Sequence, residues 1–164
     1  MLIILGGRPG SGKTTLARAL ARRLGAMHLR VDSIEQALKA AGMGGIGAAG
    51  YAVAQRLAED NLRLGLTVVA DSVNPVAASR AGWRAAAAAA DIATLEIEVV
   101  CSDAAEHRRR VETRQADIPG HRLPSWQDVE TLQYEPWSAD LVIDTAKDDT
   151  AAAVERIVAR LSTG

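Results

Sequence analysis

The chain has 164 residues, enough for one domain with a full hydrophobic core, and we expect residues 1–164 to form a single domain. Apolar residues make up 48% of it and Phe is absent, which predicts a globular protein with an aliphatic core. The formal net charge of −1 argues against a general affinity for nucleic acid or an anionic membrane. The single cysteine, Cys101, excludes an internal disulfide, and no apolar run approaches the roughly 20 residues that span a bilayer, which favours a cytoplasmic location.

Apolar runs typical of buried strands alternate with helical patterns along most of the chain. This order predicts a parallel sheet covered by helices on both faces. The predicted strands are residues 2–5, 27–31, 66–70, 94–100 and 141–143. Predicted helices span 13–24, 33–40, 51–64, 75–90, an arginine-rich stretch capped by Asp103 and Glu106, 125 to about 134, and 150–161. Residues 42–50, with five glycines, and residues 116–124 are expected to be irregular.

The residues after the first predicted strand match the pattern G-x-x-x-x-G-K-[ST] at every specified position. They are Gly7, Arg8, Pro9, Gly10, Ser11, Gly12, Lys13 and Thr14, and Thr15 continues into the predicted helix. Glycines let backbone N–H groups converge on phosphate oxygens, and the N-terminus of the helix adds positive potential. The loop therefore predicts an ATP site, with Lys13 at the outer phosphates and the Thr14 hydroxyl on Mg²⁺. A glycine-rich turn without a ligand is the structural alternative.

Two aspartates follow predicted strands, at the edge of a parallel sheet where ligands bind. Phosphoryl transfer needs a carboxylate that orients or deprotonates the attacking hydroxyl, and a ligand for the metal ion. We predict that Asp32 is the base and that Asp71, which ends a hydrophobic strand like a Walker B element, binds Mg²⁺. The reverse assignment of Asp32 and Asp71 stays open. An aspartate in either position could also simply cap the next helix.

Arginines concentrate on the helix after the fourth predicted strand and in the irregular segment beyond it. We predict that Arg110 and Arg114 contact the phosphates, because arginines in such a segment can stabilise charge on a transferring phosphoryl group. A solvated charged face, supported by pairs such as Glu106–Arg110, is the alternative. His107 and His121 are expected at the surface, and three scattered histidines predict no metal site.

With a phosphate loop, two aspartates and an arginine-rich segment in this order, the chain resembles the superfamily of small P-loop kinases. That superfamily includes gluconate kinase, adenylylsulfate kinase, polynucleotide kinase and chloramphenicol phosphotransferase. Residues 31–38, VDSIEQAL, are similar to the segment that supplies the catalytic carboxylate of chloramphenicol phosphotransferase. The resemblance implies a three-layer α/β/α P-loop fold of the nucleoside-monophosphate-kinase type, with a five-stranded parallel sheet. It also implies that Asp32 is the base and that residues 110–122 form a lid over ATP.

These features predict a monomeric or homodimeric kinase that transfers the γ-phosphoryl group of ATP, with Mg²⁺, to a hydroxyl of a small molecule. A kinase acting on nucleic-acid ends is one alternative, although the balanced charge opposes it. A nucleotide-driven ATPase or switch is another. However, the stretch nearest to a guanine-reading N-K-x-D, residues 146–149, lacks the Asn, and an AAA-type ATPase normally carries a further helical domain for which 164 residues leave no room. Residues 42–50 offer few polar groups that would define the acceptor.

Overall fold

The computed structural model describes residues 1–162, in which strands and helices alternate as predicted. The elements are β1 (Leu2–Gly6), α1 (Lys13–Leu24), β2 (Met27–Arg30), α2 (Val31–Ala40), α3 (Ala49–Arg63), β3 (Val68–Asp71), α4 (Ala77–Ala89), β4 (Thr94–Val100), α5 (Ala104–Thr113), α6 (Trp126–Thr131), β5 (Leu141–Asp144) and α7 (Thr150–Ser162). The strands form one parallel sheet in the order β2-β3-β1-β4-β5. The predicted five-stranded parallel sheet is thus confirmed.

Side chains alternate across the central strand and divide the core into two layers, because successive residues of a strand face opposite sides of the sheet. Ile3 and Leu5 pack in a cluster with residues of α1 and α7 on one face. Leu2 and Ile4 pack in a second cluster with residues of α3 and α4 on the other face. All four side chains are completely buried. Helices therefore cover both faces of the sheet, which confirms the three-layer α/β/α architecture.

The prediction of a purely aliphatic core is wrong at one position, Trp83 of α4, which is the largest fully buried side chain. Its indole N–H donates to Oδ1 of Asn74 at 3.0 Å, so the polar end of the ring is satisfied. The Asn74 amide in turn donates to the carbonyl of Leu5 at 3.1 Å. This chain of hydrogen bonds ties α4 to the carboxyl end of β1, where the phosphate loop begins.

Several predicted boundaries differ from the structure, and two of them bear on the site. The strand predicted through residue 31 ends at Arg30, and α2 begins at once, so Asp32 lies in the first turn of a helix. Arg30, not Asp32, is the N-cap residue, and a carboxylate in the first turn favours the helix through the helix dipole. The helix predicted to reach about residue 134 ends at Thr131. Nη1 of Arg8 donates a hydrogen bond to the carbonyl of Val129 at 2.6 Å. In a longer helix this carbonyl would accept from a backbone N–H of the next turn.

Candidate active site

The phosphate loop lies at the carboxyl end of β1 and leads directly into α1. Gly10 has a φ of +85°, and a Cβ added there would lie 2.4 Å from Cγ2 of Val111, so both the backbone and the available space require glycine. Gly12, with a φ of +90°, is the N-cap of α1 and no side chain caps the helix. The first N–H groups of α1 are therefore free of a side-chain cap and can bind an anion in the loop.

Lys13 and Thr14 meet Asp71 beneath the loop. The Lys13 side chain is 7% exposed and Asp71 is 1% exposed. Burial lowers the pKa of Lys13, while the charges of Asp71 and Asp32 favour its protonated form. Burial also opposes ionisation of Asp71, but hydrogen bonds from His28 and Thr14 and the charge of Lys13 outweigh it and lower the pKa of this carboxyl. Lys13 and Asp71 thus act on each other as buried groups of opposite charge at the loop.

The Thr14 hydroxyl and the Asp71 carboxylate are adjacent oxygen donors, which suit Mg²⁺. Within residues 1–162, no cluster of three or more His, Cys, Asp and Glu side chains could hold a metal without further ligands. Mg²⁺ needs no such cluster, because it commonly binds one or two protein oxygens together with substrate phosphates and water. The residues present therefore fit the predicted Mg²⁺ site.

Asp32 reaches the same site from the first turn of α2. Its carboxylate Oδ2 lies 3.5 Å from Nη2 of Arg30, and its charge acts on Lys13. One turn further along α2, burial raises the pKa of Glu35, and the neighbouring Asp32 adds to the shift. Because Asp32 is half-buried and does not cap its own helix, its carboxylate is available to a ligand.

A cavity of about 520 Å³ lies over the phosphate loop and brings most predicted site residues together. This is the volume range of small-molecule sites. One wall is an irregular stretch between α5 and α6, residues 114–125, which we call the lid segment. The lining includes Pro9, Gly10, Gly12, Lys13, Thr14, Thr15, Arg18, Arg30, Asp32, Arg110, Arg114, Asp117, His121 and Arg122.

The structure separates the arginines of α5 into two groups. Arg108 and Arg109 are exposed and pair with Glu112 and Glu106, as the solvated-face alternative describes. Arg110 also pairs with Glu106, its Nε lying 2.7 Å from Oε1, but it donates in addition to the hydroxyl of Thr145 at 2.8 Å and to its carbonyl at 3.1 Å. Arg114 lines the cavity, half-buried, and burial lowers the pKa of its guanidinium.

A second cavity, of about 570 Å³, continues from the loop toward the segment between β5 and α7. It shares Gly12, Thr15 and Arg110 with the first cavity. Its other wall includes Thr145, whose hydroxyl donates to the carbonyl of Ser11 at 2.8 Å. Thr145 was not among the predicted site residues. Its position two residues after the last predicted strand was the available signal, since that edge of the sheet holds ligands.

The family profile AAA_33, described as AAA domain, matches residues 2–132, well over half of the chain. The chain belongs to this AAA domain family. Its solved structural relatives include small kinases, which confirms the predicted resemblance. No curated protein matches the sequence.

Three solved structures illustrate the similarity of this AAA domain to small kinases. A candidate kinase from Chloroflexus aurantiacus is 25% identical, with a TM-score of 0.77, covering 99% of this chain and 96% of that one. The Mycobacterium tuberculosis APS kinase CysC, in complex with AMPPNP and APS, is 20% identical, with a TM-score of 0.69 and coverage of 98% and 96%. A Sinorhizobium meliloti gluconokinase is 18% identical, with a TM-score of 0.65 and coverage of 98% and 95%.

Two residues of the AAA domain lie elsewhere than predicted. His107 is only 8% exposed, so its predicted surface position is wrong; its Nε2 lies 2.9 Å from the carbonyl of Pro9 and its ring meets the edge of Trp126. The Arg8 side chain turns to α6 and lies over the ring of Tyr134, so Arg8 has only its backbone to offer a nucleotide. In the described part of the chain, no helix has both the length and the apolar character needed to cross a membrane.

Proposed function

We propose that this protein is an ATP-dependent kinase that transfers the γ-phosphoryl group to a hydroxyl of a small molecule. The observation that carries the proposal is the shared cavity. Lys13 and Thr14 of the phosphate loop line the same space as Asp32, a carboxylate that neither caps a helix nor is fully buried. A phosphate-binding loop facing an available carboxylate is the arrangement that phosphoryl transfer to a hydroxyl requires.

The two cavities suggest how ATP would lie. The triphosphate would follow the loop from Gly12 toward Lys13, and the nucleoside would enter the second cavity between Arg110 and the residues after Thr145. The hydrogen bonds of Arg110 to Thr145 hold this wall in place before the nucleotide arrives. The complex of the similar APS kinase with AMPPNP supports an adenine nucleotide as the ligand.

The proposed reaction moves one phosphoryl group and one proton. The acceptor hydroxyl oxygen bonds to the γ-phosphorus, the bond from that phosphorus to the β,γ-bridging oxygen breaks, and Asp32 receives the hydroxyl proton. Lys13, Arg110 and Arg114 would stabilise the charge that develops on the transferring group and on ADP. Mg²⁺ held by Thr14 and Asp71 would supply further charge neutralisation when bound.

The acceptor side of the cavity favours a small molecule over a nucleic-acid end. His121, Arg122 and Pro124 of the lid segment line one side of the cavity, whose volume is that of a small-molecule site. The chain as a whole carries a formal charge of −1, so no general attraction to a phosphate backbone is available. We infer that the protein acts on its acceptor as a monomer or homodimer.

A metabolite-library screen tests the proposal directly. The purified protein, ATP and Mg²⁺ are incubated with pooled hydroxyl compounds, and mass spectrometry detects phosphorylated products. We expect one class of acceptor to be phosphorylated by the wild type and not by an Asp32→Asn variant. Release of ADP and inorganic phosphate without a phosphorylated acceptor would instead support the ATPase alternative and contradict the kinase.

A further inference from the structure

Asp117 of the lid segment bridges two arginines from distant parts of the chain. Its carboxylate accepts from Nη1 of Arg30 at 3.0 and 2.8 Å and from Nη2 of Arg18. Arg18 lies on α1 and Arg30 ends β2, and both line the cavity over the phosphate loop. Two guanidinium groups converging on one carboxylate form the geometry with which proteins also bind phosphate and sulfate. Asp117 is 40% exposed at the side chain, so a competing anion can reach it.

The cavity stays positively charged after its carboxylates are counted. Six cationic side chains line it against two carboxylates, an excess of four; Asp71 acts on Lys13 and Glu106 pairs with Arg110, which reduces the excess to two. Displacement of Asp117 from its arginines frees one further positive charge, so the cavity can match a second anion beside the nucleotide with its Mg²⁺.

We propose that Arg18 and Arg30 form an anion subsite for the phosphoryl acceptor, so that the acceptor carries a phosphate, sulfate or carboxylate group beside its reactive hydroxyl. Asp117 occupies this subsite until the acceptor's anion replaces it. Arg30 also contacts Asp32, at 3.5 Å, so an anion held on Arg30 brings a neighbouring hydroxyl toward the proposed base. This inference rests on the proposed kinase function, because it names the substrate class of that site.

Calorimetric titration of inorganic phosphate tests the subsite. The protein is first saturated with AMPPNP and Mg²⁺, which fills the phosphate loop, and ionic strength is held constant so that only specific binding is measured. We expect saturable binding to the wild type, weakened about tenfold or more in Arg30→Gln and in Arg18→Gln. Asp117→Asn should bind phosphate about three- to fivefold more tightly, because the competing carboxylate is gone.

Arg22→Gln is the matched control, because Arg22 is an exposed arginine one turn further along α1 and outside the cavity. Its phosphate affinity should equal that of the wild type. Arg18 is 45% exposed at the side chain, so Arg18→Gln keeps the test valid if Arg30→Gln weakens the fold. Phosphate that fails to saturate the wild type, or that binds all variants equally, would overturn the subsite.

AMPPNP affinity of each variant identifies which anion the arginines serve. We expect Arg18→Gln and Arg30→Gln to bind AMPPNP within about twofold of the wild type, because the subsite belongs to the acceptor. A loss of tenfold or more in AMPPNP affinity would assign both arginines to the nucleotide and overturn the inference. If the wild type binds AMPPNP but no phosphate, the anion subsite is contradicted and the kinase function is not. If the wild type binds no AMPPNP, the proposed kinase function itself is contradicted.

Discussion

The phosphate loop and the lid segment face each other across one cavity but are held in place by different forces. The loop follows β1, which is completely buried along its length, and it is fixed by tight backbone geometry at Gly10 and Gly12. The lid segment, residues 114–125, lies between α5 and α6 and carries exposed charged residues. Its clearest links to the rest of the fold are the ion pairs of Asp117 with Arg18 and Arg30.

The phosphate loop is therefore already in the conformation that binds a ligand, whereas the lid segment can change its conformation when a ligand binds. Backbone geometry encased in apolar side chains changes little on binding, because moving it would disrupt a close-packed core. Exposed ion pairs typically contribute about 0–1 kcal/mol each, so a ligand's anion can replace them at small cost. We therefore expect changes in the loop to affect nucleotide binding and catalysis strongly, and changes in the lid segment to affect mainly dynamics.

Removal of the Lys13 charge should have the largest effect. Lys13→Met keeps the apolar stem and removes the ammonium group at the outer phosphates, so we expect turnover to fall by about 10³-fold. The rise in melting temperature that ATP and Mg²⁺ cause in the wild type should be largely lost. Lys39→Met, at an exposed position of α2, is the control and should behave like the wild type. Equal thermal shifts in both variants would contradict the assignment of the phosphate loop.

Asp32→Asn should separate catalysis from nucleotide binding. The change keeps the size of the side chain but removes the ability to take a proton, so we expect kcat to fall about 10²-fold while ATP affinity stays nearly unchanged. Weakened Mg²⁺-dependent ATP binding would instead make Asp32 a metal ligand. Turnover close to that of the wild type would move the role of base to Asp71. Asp60→Asn, an exposed change on α3, controls for the loss of one charge.

Local sequence patterns could predict the part of the site that the local backbone builds. The match at residues 7–14 predicted the loop, and the apolar runs predicted all five strands, because buried parallel strands are continuous apolar segments. The order of the strands in the sheet did not follow from these patterns. The N-terminus of α2 was misjudged because β2 passes into the helix without the turn residues that normally mark such a junction.

Contacts between distant residues explain what the sequence did not reveal. Asp117 pairs with Arg18, 99 residues earlier, and His107 meets the carbonyl of Pro9, 98 residues earlier. No periodicity or spacing in the sequence indicates such a long-range contact. His107 was expected at the surface because its helix is rich in charged residues. However, the face of α5 that carries His107 packs against the phosphate loop. Single-residue exposure depends on tertiary packing, which overrides local polarity.

Gly10→Ala measures how rigid the loop is. The new Cβ would lie 2.4 Å from Cγ2 of Val111, and the backbone φ of +85° disfavours alanine. Gly42→Ala is the matched control, because its φ is +86° but a Cβ there meets nothing within 4 Å. We expect Gly42→Ala to cost about 1 kcal/mol of unfolding free energy from the backbone alone. Gly10→Ala should cost about 1–3 kcal/mol more. Equal losses in chemical denaturation would contradict a tightly packed loop.

Asp117→Asn should have the smallest effect on the free protein, where it should change only the motion of the lid segment. Loss of the ion pairs with Arg18 and Arg30 weakens the hold on the segment, so its amide hydrogens should exchange about two- to fivefold faster in the free protein. AMPPNP with Mg²⁺ should slow exchange in both the wild type and the variant, if the segment closes over the nucleotide as Arg114 at the cavity wall suggests. Amides of β1 report the stability of the core and should not change.

Asp128→Asn provides the comparison that isolates the ion pairs. Asp128 lies just beyond the lid segment, where its carboxylate accepts from the backbone N–H of Ser125 at 2.8 Å and completes the capping box of α6. Removing that charge should speed exchange in the first turn of α6 but leave residues 114–122 unchanged. If Asp117→Asn and Asp128→Asn affect the same amides equally, the segment responds to general loss of negative charge. If only Asp117→Asn loosens residues 114–122, two arginines at the cavity wall control how the lid opens.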